Sequence, residues 1–280
     1  MSRSLKIVLA YDGTNLVGWQ RQPSGVSVQA LVEDALAAIE GRPVVIVGAG
    51  RTDAGVHALG QVASVLIDHP IPIDELARAL NARLPGEVQV LSVEAAADDF
   101  HARYSARSKT YRYLVLNDRF VSPFERRYVW HVPRPLDVEA MAAAACHLEG
   151  RRDFAALQGA GSAAKTTVRT IAQARIHLLP AMEVAGGLTL PSRPAGGRLV
   201  AFDMRGDGFL RHMVRNAVGT LVEIGHGRRT PSSMADLLVS GDRALAGPTA
   251  PATGLFLVGV EYAPGPAAPS RSLAPPGGTL

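Results

Sequence analysis

Leu5-Lys-Ile-Val-Leu-Ala-Tyr11, followed after a polar stretch by Ser27-Val-Gln-Ala-Leu-Val-Glu-Asp-Ala-Leu-Ala-Ala-Ile-Glu40, reads as a strand and a helix, and this pair sets the fold. The first run is nearly continuously apolar, as a buried strand is. In the second, Ser27 is an N-cap residue, and Val28, Leu31, Val32, Ala35, Leu36 and Ile39 fall on one helical face. Further along, Pro43 to Val47 reads as a strand, Gly48 to His57 as a loop and Gln61 to Ile67 as another strand. Asp74 is expected to cap a second amphipathic helix reaching Leu84, which Pro85-Gly86 ends, and Val88 to Val93 returns as a strand. The order is β-α-β-β-α-β.

The rest of the chain repeats that order with longer parts. Lys109 to Leu116 reads as a strand, Val138 to Leu148 as a helix, Val168 to Leu178 and Leu199 to Met204 as strands, Phe209 to Ile224 as a helix and Leu255 to Tyr262 as a strand. Two such units predict an α+β fold of two ferredoxin-like halves, whose antiparallel sheets form a central cleft. The expected division is residues 1–100, 101–263 and a tail at 264–280. The seam falls near Asp98 to Ser108. The proline- and glycine-rich tail carries too little apolar surface to fold and is expected to be disordered. Residues 181–196 are long for a hairpin loop and receive no role.

The 280 residues are 47% hydrophobic and 19% charged, a balance that excludes an intrinsically disordered chain. The net charge is only +4, but Lys6, Lys109 and Lys165 are the only lysines among 29 basic residues. Arginine suits phosphates, while abundant alanine and glycine equally suggest codon bias. One cysteine, Cys146, excludes disulfides and thiolate zinc sites, and its apolar surroundings make it a core residue. No apolar run is long enough to span a membrane. The first carboxylate, Asp12, comes too soon for a signal peptide, so a cytoplasmic protein is expected.

Three segments carry candidate chemistry. Gly48-Ala-Gly-Arg-Thr-Asp-Ala-Gly-Val-His57 lacks the Lys-Ser/Thr of a phosphate loop, but its glycines permit close backbone approach. Extended geometry puts Arg51 and Asp53 on one face; the bland alternative is an Asx-turn made by Asp53. His101-Ala-Arg-Tyr-Ser-Ala-Arg-Ser-Lys-Thr-Tyr-Arg-Tyr113 interleaves Arg103, Arg107, Lys109 and Arg112 with three tyrosines, as single-stranded RNA binding requires, or as a solvated strand would. Tyr111 and Tyr113 share one face and Arg112 takes the other. Gly206-Asp-Gly-Phe-Leu-Arg-His-Met-Val-Arg215 opens a helix on which Arg211 and Arg215 share a face, either as an anion site or as plain surface charge. The dispersed histidines form no helical metal pair, there is no dinucleotide fingerprint, and no nucleophile elbow occurs. Any chemistry must run on Asp, Arg, Tyr and perhaps His.

Taken together, Tyr11-Asp-Gly-Thr14, Gly18-Trp-Gln-Arg-Gln22, Gly50-Arg-Thr-Asp-Ala-Gly-Val-His57, Phe100-His-Ala-Arg103, Lys109-Thr-Tyr-Arg-Tyr113, Gly208-Phe-Leu-Arg-His-Met-Val-Arg-Asn216 and Thr249-Ala-Pro-Ala-Thr-Gly-Leu255 resemble the TruA family of tRNA pseudouridine synthases, in that family's order. The resemblance implies the pseudouridine synthase fold. It also implies isomerisation of uridine to pseudouridine at tRNA positions 38, 39 and 40, without cofactor or metal. The family's catalytic aspartate falls on Asp53, acting as nucleophile or base. Its active-site tyrosine falls on Tyr111, which stacks on the uracil and helps remove the carbon 5 proton. Its active-site arginine falls on Arg215, whose charge favours an ionised Asp53 once water is excluded. Arg51 is expected to displace the target nucleotide from the stem. Arg103, Arg107, Arg112 and Arg211 lie in segments expected to line the same cleft as RNA contacts. The family pattern further implies a homodimer that holds tRNA across both subunits. An RNA-binding protein without catalysis and an RNA N-glycosidase are the alternatives.

Overall fold

Ser27 caps the first helix as its side chain suggests, its hydroxyl accepting the Ala30 backbone N–H at 3.2 Å. The computed structural model describes residues 2–162, 164–180, 183–184, 188–189 and 197–263. The first half comprises β1 (Arg3–Tyr11), α1 (Val28–Glu40), β2 (Val47–Gly48), β3 (His57–Ile67), α2 (Ile73–Asn81) and β4 (Val88–Ala95). β1 lies between β4 and β3, antiparallel to both, and β2 pairs with the outer edge of β3. That is the β4-β1-β3-β2 order of a ferredoxin-like unit.

The second half comprises β5 (Ala106–Asn117), β6 (Trp130–His131), α3 (Val138–Ala145), β7 (Gly150–Asp153), β8 (Val168–Leu179), the two-residue strands β9 (Glu183–Val184) and β10 (Leu188–Thr189), β11 (Arg198–Gly206), α4 (Met213–Gly225), α5 (Ser233–Ser240) and β12 (Leu255–Tyr262). Its main strands run β12-β5-β11-β8, the same order with β5 in the place of β1. β12 also pairs with β3, in parallel, at Phe256 with His57 and Leu257 with Ala58. The expected pair of antiparallel sheets is therefore one ten-stranded sheet with a parallel joint. β2 is so short that it leaves the far end of β3's edge free, and β12 occupies it.

Strand alternation decides what the sheet buries. Leu5, Ile7, Leu9 and Tyr11 of β1, Tyr111, Tyr113 and Val115 of β5, and Phe202 and Met204 of β11 join one core with the buried sides of α1 to α5. Leu114, Leu116, Leu199, Ala201 and Phe256 face the other way, where Val129 covers them. Ala102 closes a third cluster against Val62 and Ala49. No described helix is long and apolar enough to cross a membrane.

Several expectations shift. Of Pro43 to Val47 only Val47 pairs, because two ladder positions on β3 are all that this segment reaches. Pro72 occupies the cap position of α2 without a side-chain bond, which moves Asp74 into the first turn, where its charge faces the helix dipole. The helix ends at Asn81, whose side chain turns to bond Val90 in both directions. The helix expected from Phe209 begins only at Met213. Cys146 is exposed rather than buried, since Met141, Ala144 and Ala145 fill the inward side of α3. The expected tail at 264–280 lies outside the described residues, as does most of 181–196.

Gly60 of β3 sits against this joint: a methyl group there would stand 2.7 Å from the Val258 carbonyl oxygen and 3.3 Å from Gly259 Cα. Both neighbours are backbone, so neither can swing aside. Gly60→Ala is expected to destabilise the protein by about 1–3 kcal/mol, read as a lowered urea midpoint with an unchanged slope.

Candidate active site

Glycines let the Gly48–His57 loop thread between neighbouring backbones. Gly18, at φ +101°, passes so close that a Cβ would lie 2.5 Å from the Thr52 carbonyl oxygen. That carbonyl accepts the Trp19 N–H at 3.1 Å, and Gln61 Nε2 donates to the Gly50 carbonyl at 2.8 Å. The Thr52 hydroxyl lies 2.8 Å from the Tyr11 hydroxyl in the core. With Thr52 turned inward, Arg51 and Asp53 on either side reach outward, as extended chain dictates. The turn closes by the Val56 N–H donating to the Asp53 backbone carbonyl at 3.1 Å, and the Gly55 N–H, the donor an Asx-turn would use, goes instead to the Leu16 carbonyl at 3.3 Å. His57 anchors the far end: buried and stacked on Phe256 at 4.8 Å, its ring accepts the Gly13 N–H through Nδ1 and lies 3.1 Å from the Arg127 carbonyl through Nε2. Burial pushes its pKa below the ordinary histidine value, which suits a neutral anchor.

Asp53 Oδ2 faces α4. Arg215 Nη1 stands 3.5 Å away and His212 Nε2 3.4 Å away. Arg215 is held by its own Nε, which donates to the Ala250 carbonyl at 2.7 Å, while the Ala250 N–H returns a bond to the Arg215 carbonyl. Asn216, fully buried, fixes the same turn. Its Nδ2 donates to the Leu157 carbonyl at 2.8 Å, and its Oδ1 accepts from Thr249 Oγ1 at 2.7 Å and Arg243 Nη2 at 3.1 Å.

Tyr111 of β5 completes the group from the floor of the sheet. A Cβ on Gly50 would lie 3.7 Å from the Tyr111 hydroxyl and 3.5 Å from Lys109 Cε, so Gly50 leaves room for both. The ring meets Phe209 edge-on at 4.8 Å. Burial, with the Tyr11 and Asp53 charges adding to it, raises the Tyr111 pKa far above the ordinary phenol value, so it is a neutral phenol. Burial and the Arg103 charge lower that of Lys109. Among the described residues no three His, Cys, Asp or Glu side chains stand together as metal ligands.

The structure thus brings Asp53, Tyr111 and Arg215 together, with Arg51 exposed beside them. The other arginines behave differently. Arg112 lies on the opposite face of β5 and is bound in a two-point ion pair to Asp203, at 2.7 and 2.8 Å. It does not line the cleft, because strand parity opposes it to Tyr111. Arg211 is not on the helix at all: it sits in the turn before α4, with Nη1 donating to the Ala160 carbonyl. Arg107 is exposed at the start of β5, and the Arg103 guanidinium lies 5.6 Å over the exposed Tyr104 ring. His212 and Asn216 carried no sequence reading of their own. The apolar periodicity of 209–224 hid that Phe209 to His212 lies before the helix, with a turn at Arg211 and His212.

A family model described as tRNA pseudouridine synthase matches residues 7–105 and 144–263. The chain is 45% identical over 260 residues to tRNA pseudouridine synthase A of Syntrophotalea carbinolica, covering 93% of this chain and 96% of that protein. It is 46% identical to the protein of the same name from Moorella thermoacetica, covering 92% and 99% of the two. Against the Myxococcus xanthus protein, also of that name, identity is 46% over 98% and 96%.

Asn216→Ala would leave the Leu157 carbonyl, the Thr249 hydroxyl and one Arg243 contact without this partner in the core. The expected cost is about 2–4 kcal/mol, visible in calorimetry as a melting temperature lowered by roughly 5–10 °C.

Proposed function

Since the chain belongs to the tRNA pseudouridine synthase family, we propose that it isomerises uridine to pseudouridine at positions 38, 39 and 40 of the tRNA anticodon arm. The observation that carries this reading is the meeting of Asp53 with Arg215 at 3.5 Å, beside the neutral Tyr111 phenol, at the joint of the two halves. In the reaction the bond from ribose C1′ to N1 of uracil breaks, the base turns in place, and a bond from C1′ to C5 forms. The C5 proton leaves to solvent and N1 gains one. Nothing is oxidised or reduced.

Asp53 serves as the nucleophile or base, whether it adds to the base, to the sugar, or removes a sugar proton. Its carboxylate is one-third exposed, open enough to meet a nucleotide that leaves the stem. Arg215 supplies a fixed positive charge to that carboxylate when RNA displaces water, where charges interact more strongly. Tyr111 stacks on the uracil. It reaches the C5 proton only as a relay, because a neutral phenol must pass on its own proton before it takes another. The exposed Arg51 takes the place vacated by the extruded nucleotide. Arg103, Arg107 and Arg211 are assigned to the phosphates, which fix RNA by shape and charge rather than base edge.

Residues 1–100 and 101–263 are proposed to be halves of one catalytic unit, since Asp53 comes from one and Tyr111 and Arg215 from the other. The enzyme is proposed to work in the cytoplasm as a homodimer, with RNA contacts from both subunits.

Release of tritium from 5-tritiated uridine in tRNA tests the reading. Asp53→Ala is expected to lower it by about a thousandfold or more while binding is retained; full release from this variant would refute the mechanism, and free uracil as product would make the enzyme an N-glycosidase. Arg215→Lys keeps the charge but loses the planar fork that Ala250 holds. Single-turnover rates should nearly vanish with binding intact, and an unchanged rate would remove Arg215 from the chemistry. The logarithm of tRNA affinity should fall with log salt by roughly 0.7 to 0.9 per neutralised phosphate.

A further inference from the structure

His212 is the only residue other than glycine at positive φ among the described residues, at φ 60° and ψ 2°. Left-handed backbone is unfavourable for a residue with a Cβ, and it persists where surrounding contacts enforce it. Here they do. The His212 carbonyl accepts the Asn216 N–H at 2.8 Å and so starts α4, and the preceding Arg211 carbonyl accepts the Gly159 N–H at 2.8 Å. The imidazole lies against Gly159, where a Cβ would come within 2.7 Å of Nδ1, so that glycine makes the space for the ring. In this pose Nε2 stands 3.4 Å from Asp53 Oδ2, the oxygen that Arg215 Nη1 also faces.

We propose that His212 is a positioning residue for Asp53, and that its charge state decides how freely the carboxylate can act. As a neutral ring, His212 bounds the carboxylate on one side while leaving its negative charge opposed by Arg215 alone. Once protonated, it places a second cation on the same oxygen, and the carboxylate becomes a weaker nucleophile and base. The groups that face the ring are Asp53 from the loop, Arg211 from the turn, Arg215 from α4 and Arg243 from the Arg243–Leu245 turn. Burial and the three arginines lower the His212 pKa below the ordinary histidine value, and Asp53 opposes them. The neutral form therefore prevails at neutral pH, and activity falls as pH drops to the acid side of the ordinary histidine value, where the ring takes its proton.

This inference rests on the synthase reading for its rate measurements but not for its structural one. Asparagine tolerates left-handed backbone and cannot be protonated, so His212→Asn separates the charge from the conformation. In the wild type the single-turnover rate should fall severalfold between pH 7.5 and the acid side of the His212 ring titration, and in His212→Asn by less than about twofold over the same span. His212→Gly, which keeps the backbone and removes the ring, should lower kcat at pH 7.5 with KM for tRNA unchanged. Profiles of both variants that follow the wild type would overturn the proposal. Independently of activity, the His212 ring proton followed by NMR should titrate at lower pH in Asp53→Asn than in the wild type. An unmoved titration would refute the contact itself. If that shift is seen while the wild type releases no tritium at any pH, the synthase reading fails and the His212–Asp53 contact stands.

Discussion

Two residue pairs, Phe256 with His57 and Leu257 with Ala58, join the halves of this protein into one sheet. The segment just before β12 is pinned at the same place: the Tyr113 hydroxyl donates to the Pro251 carbonyl at 2.7 Å, and Gly254 lies so close to the Tyr113 ring that a Cβ would stand 2.6 Å from its Cε1. From there Ala250 holds Arg215 through its backbone, and Ala252 packs beside Gly55, two residues past Asp53. A loop of the first half and a helix of the second therefore meet at a distance set by backbone hydrogen bonds. Ladder bonds and buried rings fix positions more tightly than long surface side chains, and catalytic geometry needs that tightness.

The electrostatics at this meeting point follow from who else is nearby. Several charged side chains are closely matched: Arg112 with Asp203 and Arg205 with Glu261 on the sheet, and Arg229 with Glu223 at the end of α4. Asp53 is different. Its carboxylate faces one guanidinium and one imidazole, both beyond ordinary hydrogen-bond length, and remains partly open to solvent. An acid used as structure is commonly bonded on both oxygens, as Asp203 is by Arg112. The looser surroundings of Asp53 suit a group that must leave its partners to react.

The same chain position often served packing and site together. Gly50 leaves room for Tyr111 and Lys109 beside the loop, Gly18 lets Trp19 hold Thr52, and inward Thr52 is what turns Arg51 and Asp53 outward. Asn216 stands inside α4, yet its three side-chain bonds reach the Leu157 turn, Thr249 and Arg243. Of the buried polar residues, Thr52, His57, Gln61 and Asn216 border the site, and each is hydrogen-bonded, the condition under which burying it costs little.

Local pattern was enough to read the order of the two β-α-β-β-α-β sets, though not α5 or the short strands β6, β7, β9 and β10, and to read the Ser27 cap, the outward direction shared by Arg51 and Asp53, and the split of Tyr111 and Tyr113 from Arg112. Each depends on residues a few positions apart, whose geometry the backbone repeat fixes. The motif spelling also pointed to the family. Other features were not legible. The late start of α4, the exposed face that holds Cys146, the ion pair that removes Arg112 from the site and the seat of His212 on Gly159 all depend on partners 51 to 91 positions away or on which side of a short helix the core fills. Sequence periodicity carries the direction in which a side chain points; only tertiary packing decides what waits for it there.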